Sequence, residues 1–124
     1  LNTGLEIDVF GNVNASHIGG ARVVNGIGNG AAFAAAAGLS VMLLPSARQG
    51  GQLSCIVPAV GHVDVIHHDV DVVVSEFGVA DLRGLDDGEC ARRIIERCAH
   101  PAHRADLGRA LEEALRTGGH HPIL

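Results

Sequence analysis

"VDVVVSEFGVADLRG" (70–84) is the stretch on which the fold turns. Its run of three valines followed by Ser-Glu-Phe-Gly has the β-branched content and glycine boundary of a strand. The run does not alternate strictly between apolar and polar residues, which predicts a strand in a sheet covered on both faces, as in α/β proteins. Similar β-like runs lie upstream in "LSVMLLP" (39–45), "QLSCIVPAV" (52–60) and "HVDVIHHDVDVVVSEFG" (62–78). The last is expected as two strands broken near His68 and Asp69.

"LEIDVFG" (5–11) predicts a first strand, with Leu5, Ile7 and Val9 alternating against Glu6 and Asp8. On that reading Glu6 and Asp8 are structural or solvent-facing. A Gly/Asn-rich loop follows, interrupted by "ARVV" (21–24) as a short second strand. "AAFAAAAG" (31–38) predicts an Ala-rich helix closed by Gly38. "DDGECARRIIERCAH" (86–100) predicts a helix with acidic residues in its first turn and Arg, Cys and His in its last. Pro101 opens a second helix through about Arg116, ended by "TGG". Connections between the middle strands are too short for repeated βαβ crossovers. The expected fold class is therefore α/β, with a mixed sheet and C-terminal helices in one domain spanning 1–124.

The chain has 124 residues, 47% of them hydrophobic and 19% charged, a globular composition with room for one core. Aromatics are only 2%, so that core is aliphatic. A formal net charge of -5 argues against a nucleic-acid partner, though not against a small anion held by a local donor cluster. Cys55, Cys90 and Cys98 form an odd, widely spaced set, which points to reduced thiols and a cytoplasmic setting. No apolar run approaches the ~20 residues of a membrane-crossing helix. The chain opens on Leu1 and its only Met is Met42, as in a processed, engineered or partial sequence.

Several clusters carry possible chemistry. Gly26, Gly28, Asn29 and Gly30 precede the Ala-rich segment, where bare backbone N–H groups and a helix N-terminus suit an anion or oxyanion; tight turns are the plainer alternative. The spacing is not that of a dinucleotide fingerprint. In "PSARQGGQ" (45–52), Ser46, Arg48 and Gly50 follow a strand and suit a phosphate or carboxylate, against a solvated turn. Glu76 falls at the C-terminal end of an apolar run, the place where ligands sit in open α/β sheets. It is a candidate base, nucleophile or positioning group, with a salt bridge to Arg83 as the rival reading. Asp81 and Arg83 are expected to form a local ion pair. His62, His67, His68, Asp69 and Asp71 invite a metal reading, but strand geometry splits the set and no zinc-site spacing is present, so none is assigned. His120 and His121 belong to a frayed tail.

Taken in order, "GNVN" (11–14), "NGIGNGAAF" (25–33), "LPSARQGG" (44–51), "IVPAVGHVD" (56–64), "VVVSEFGVADLRGL" (72–85) and "CAHPAHR" (98–104) resemble the C-terminal segment of the acetyl-CoA hydrolase/transferase family. That family includes succinyl-CoA:acetate and 4-hydroxybutyrate CoA-transferases, and the former branch is the more similar. The resemblance implies an open α/β fold of the CoA-transferase type, coenzyme A esters and small carboxylates as substrates, and no covalently bound cofactor. It also implies a ping-pong route through an acyl-glutamyl anhydride and a glutamyl-CoA thioester.

Carried onto this sequence, Glu76 matches an active-site glutamate that is not the nucleophile. Arg48 matches a basic position near the CoA region, and Gly26 and Gly28 match the glycines whose backbone N–H serves the oxyanion hole. Asn29 stands where a second glycine is expected and Ala32 where an aspartate is expected. Asn29 keeps a backbone N–H for the oxyanion, though its Cβ narrows the approach. The family's nucleophilic glutamate lies upstream of the matched segment, in an N-terminal half this sequence does not carry. Two readings follow: the C-terminal portion of an acyl-CoA hydrolase or transferase, inactive without that half, or an orphan CoA-binding or structural module. Exposed apolar surface and a homo-oligomer or partner to cover it are expected in either case.

Overall fold

A computed structural model gives the fold and describes residues 1–18, 22, 23 and 38–117. These residues form strands β1 (Asn2–Thr3), β2 (Glu6–Asp8), β3 (Val13–Asn14), β4 (His17–Ile18), β5 (Arg22–Val23), β6 (Val41–Leu43), β7 (Ala47–Arg48), β8 (Leu53–Ser54), β9 (Ile56–Val57), β10 (Val72–Ser75) and β11 (Gly78–Asp81). Helices α1 (Asp87–Cys98) and α2 (Arg104–Arg116) follow. The main sheet has the order β1-β6-β10-β11, with β1, β6 and β10 parallel and β11 antiparallel. A second sheet, β3-β2-β9, is likewise mixed, and β4-β5 and β7-β8 are antiparallel pairs. The α/β class, the mixed sheets and the C-terminal helices agree with expectation.

Pleating sorts the main sheet into two unlike faces. Met42, Val73 and Ala80 lie in one cross-strand row and are 1% exposed or less. Helix α1 covers β10 and β11 with Ala91, Ile94, Ile95 and Cys98. The next row, Thr3, Leu43, Val74 and Val79, faces the other way. Leu43 and Val74 are only half-buried and Val79 is 54% exposed. The expectation of a sheet covered on both faces is thus corrected: the missing alternation reflects apolar residues on a partly open face.

Helix α1 starts where its sequence provides a capping box. Asp86 accepts from the Glu89 amide at 2.8 Å while the Glu89 side chain reaches back to the Asp86 amide. Pro101–His103 forms a 3-10 turn that leads into α2, close to the expected second helix. Leu107, Leu111 and Ala114 of α2 join the core with Ile7, Val13 and Ile56 of the second sheet and with Val9 just after β2. Cys98 donates its thiol to Val73 O at 3.5 Å and Gly78 O at 3.6 Å, and burial pushes this thiol up.

Two other expectations fail. The run 52–60 is two short strands, since Cys55 between them is drawn to Ser46, its N–H donating to that carbonyl at 2.8 Å. Residues 62–67 make no strand: Val65 alone bridges Val13, and His67–Asp69 is a 3-10 turn. Asp8 is 2% exposed, so of its two readings the structural one holds. Its carboxylate accepts from Phe10 N (3.1 Å), Asn12 N (3.0 Å) and Asn12 Nδ2 (3.1 Å), closing the turn after β2. The Ala-rich helix and the His120–His121 tail lie outside the described residues.

Candidate functional site

The parallel strands β1, β6 and β10 end together, and a cavity of about 430 Å³ opens at their carboxyl ends. Thr3 and Gly4 line it from the end of β1, Leu43, Leu44 and Pro45 from the end of β6, and Val74, Ser75 and Glu76 from β10. The backbone ladder runs on past the strands. Gly4 N–H donates to Leu43 O at 3.0 Å and Leu44 N–H to Val74 O at 3.1 Å, which extends the ladder into the rim. This is the position ligands take in open α/β sheets.

Glu76 occupies the β10–β11 turn. Ser75 fixes that turn by donating its hydroxyl to Cys98 O at 2.7 Å and accepting from Phe77 N at 3.2 Å. One oxygen of the Glu76 carboxylate accepts from Ser46 N at 2.7 Å, a contact 30 residues apart in sequence. Ser46 is fully buried. Its hydroxyl lies close enough to favour the charged carboxylate but makes no hydrogen bond of normal geometry. Partial desolvation pushes the Glu76 carboxyl up. Hydrogen bonds from the Ser46 amide and its own amide, with the Ser46 hydroxyl and His100 ring nearby, pull it further down, so it titrates below an ordinary glutamate.

A lowered folded-state value adds stability above the ordinary glutamate pKa, and that stability is lost as pH falls through the lowered value. The stability gap between the parent chain and Glu76→Gln is expected to be largest near neutral pH and to close in acid. Urea unfolding followed by circular dichroism across this range checks it, and a gap that stays constant would contradict the assignment.

The other candidates spread out around this centre. Arg48 is exposed, its guanidinium donating to Leu5 O at 3.3 Å. Gly50 lies in the 3-10 turn Gln49–Gly51, where Gln49, Gly50 and Gly51 all have positive φ (54°, 68° and 93°). Gly26, Gly28, Asn29 and Gly30 lie outside the described residues. Arg83 pairs with Asp81 at 2.8 Å, not with Glu76, and its hydrogen bonds hold the Asp81 carboxyl down at about 2. In the histidine segment, His62 pairs with Asp64 at 3.1 Å and the His67 backbone N–H donates to Asn12 Oδ1 at 2.9 Å. Among the described residues no three metal-ligating side chains gather.

Two residues near the site had no role assigned from sequence. His103 Nε2 lies 2.7 Å from Gly51 O, and His100 makes an edge contact with Phe77 at 5.5 Å between ring centroids. "CAHPAHR" was visible as a motif, but its partner in the 49–51 turn is distant in sequence.

Residues 1–111 match the model of the acetyl-CoA hydrolase/transferase C-terminal domain. The chain belongs to that family. Succinyl-CoA:acetate CoA-transferase of Clostridium kluyveri is 47% identical over 119 residues, covering 96% of this chain and 22% of that protein. Acetyl-CoA hydrolase of Saccharomyces cerevisiae is 41% identical, covering all of this chain and 24% of that protein. The chain thus spans about a quarter of the length of these curated relatives. Among solved structures, RipA from Yersinia pestis superposes with a TM-score of 0.81 at 34% identity, over 92% of this chain and 27% of that one. A 4-hydroxybutyrate CoA-transferase from Porphyromonas gingivalis superposes with a TM-score of 0.66 at 30% identity, over 94% and 26%. The α/β architecture of this acetyl-CoA hydrolase/transferase domain is therefore that of CoA-transferase structures. No helix among its described residues is long and apolar enough to cross a membrane.

Proposed function

We propose that residues 1–124 form the C-terminal portion of an acyl-CoA hydrolase or CoA-transferase, moving coenzyme A between an acyl-CoA and a small carboxylate or water. The observation that carries this reading is Glu76, held by the Ser46 amide at the mouth of a cavity where three parallel strands end. An ionised carboxylate fixed there can accept a hydrogen bond from a donor on the substrate, such as an amide N–H of coenzyme A, and so orient it. Arg48 and Gly50 are the proposed CoA contacts, with Arg48 as the exposed charge for a phosphate, while Ser46, fully buried, acts on the site through its amide on Glu76. Gly26, Gly28 and Gly30 belong to the same group by sequence, and Asn29 is the proposed oxyanion donor.

Turnover runs through a glutamate outside these residues. Its carboxylate attacks the acyl-CoA carbonyl and expels CoA thiolate, giving a mixed anhydride. The thiolate then attacks the glutamyl carbonyl, releasing the first carboxylate and leaving a glutamyl-CoA thioester. An acceptor carboxylate or water completes the exchange. Glu76 positions rather than attacks, the nucleophile being assigned outside these residues; among the described residues it is the one titratable side chain lining the cavity. That same count favours a second reading, a non-catalytic module with CoA affinity alone. A covering partner or homo-oligomer suits the open row ending at Val79, and a reducing cytoplasmic setting suits the three free thiols.

The test is thiol release and acyl exchange with acetyl-CoA, with and without succinate or acetate, on this chain alone and joined to an N-terminal half of the family. No turnover alone, activity when joined, and a loss of about a hundredfold in kcat for Glu76→Gln are expected. Turnover by the chain alone that vanishes in Glu76→Gln would make Glu76 the nucleophile and overturn the scheme. CoA binding without activity in the joined protein would favour the module.

A further inference from the structure

The turn after Ser46 and Arg48 is one that the chain would not hold by itself. Gln49, Gly50 and Gly51 are three successive residues with positive φ, and Gln49 pays for that conformation with a Cβ. The turn is held from outside by the motif that follows α1. His103 Nε2 lies 2.7 Å from Gly51 O, across 52 residues of sequence. A carbonyl oxygen can only accept, so Nε2 carries the proton. His100 is fixed in the same tautomer for the opposite reason. Its Nδ1 accepts from Ala102 N at 3.1 Å, which leaves the proton on Nε2. That Nε2 faces Gly51 so closely that a Cβ there would lie 3.0 Å from it.

The base of the same ribbon is tied at Ser46. Its carbonyl accepts from Cys55 N at 2.8 Å and its amide donates to Glu76 at 2.7 Å, with the β7–β8 pair in between. We infer that His103, seated against Gly51 beside His100, is a positioning residue for the candidate site: by bracing the far end of the 46–55 ribbon it fixes the Ser46 amide against the Glu76 carboxylate. The inference rests on the proposed roles of Glu76 and Ser46, but its test needs no turnover.

Long-range nitrogen NMR on the intact chain is expected to show both histidines as Nε2–H tautomers when neutral. In His103→Ala, exchange of the Gln52 amide, which donates to Gln49 O, should accelerate about tenfold, the loss expected for one hydrogen bond. The Glu76 side-chain titration should move up toward an ordinary glutamate. His103→Gln, whose amide can donate to Gly51 O, should restore both. An Nδ1–H tautomer at His103, or a Glu76 titration unmoved in His103→Ala, overturns the inference. If His103→Ala does not fold, the tautomer and the His103→Gln titration still decide. Free coenzyme A added to the parent chain separates the two ideas: intact bracing without any response of the Ser46 and Glu76 signals would remove the functional reading and leave the brace standing.

Discussion

Asp8→Ala is expected to lower the unfolding free energy by about 3 kcal/mol or more. The Asp8 carboxylate is 2% exposed and accepts three hydrogen bonds, from Phe10 N, Asn12 N and Asn12 Nδ2. Alanine leaves those donors without their acceptor, and each buried donor so stranded costs roughly 1–3 kcal/mol. The effect spreads, because Asn12 Oδ1 in turn accepts from His67 N at 2.9 Å and ties β2 to the 67–69 turn. Asp8→Asn should cost less, about 1–2 kcal/mol, since one oxygen still serves the two backbone amides while the new NH₂ opposes the Asn12 side-chain donor. Urea unfolding followed by far-ultraviolet circular dichroism suits a chain without Trp. A loss under about 1 kcal/mol for Asp8→Ala would refute the account.

Gly78→Ala carries the second large effect, and it reaches the site. A Cβ at Gly78 would lie 2.7 Å from Arg97 O, a backbone carbonyl in the last turn of α1. No side chain can rotate to relieve that contact, so the hairpin and the helix must move apart, at a cost of about 1–3 kcal/mol. Glu76 lies two residues away on the same turn, so its bond to Ser46 N should lengthen and its titration rise. Gly108→Ala is the matched control. Its Cβ would meet nothing within 4 Å, it sits inside α2, and alanine there should stabilise by about 0.5–1 kcal/mol. Thermal melts of both variants, with the Glu76 titration, check the pair. A Gly78→Ala chain as stable as its parent would show that the helix end yields freely.

What the sequence disclosed of this fold depended on whether the signal was local. Helix α1 was legible to within two residues at either end because its capping residues, Asp86 and Glu89, sit beside it in the chain. Pro101 marked the entry to α2 for the same reason. Residues 62–67 misled because Val63, Val65 and Ile66 suit a strand by propensity, whereas a strand also needs a neighbour, and only Val65 finds one. Asp8 could not be placed by alternation, since its burial is set by donors on the following turn. At the site, Glu76 was legible as a carboxylate at a strand's end, but its bond to Ser46 was not. Nor was His103 on Gly51, because no periodicity relates residues 52 apart. The rival Arg83 pairing failed because Asp81, two residues off, offers a bidentate partner first.

The parallel arrangement of β1, β6 and β10 has a kinetic consequence. The β10–β11 hairpin closes over a few residues and can form early, so Glu76 is presented on its turn before most of the chain is ordered. Its partner Ser46, and the walls from Thr3 and Leu43, come only with pairings that close loops of some thirty to forty residues. Such long loops are entropically costly and form late. The cavity is therefore expected to close after the hairpin: a chain with the hairpin alone would carry the carboxylate but have no pocket in which to use it.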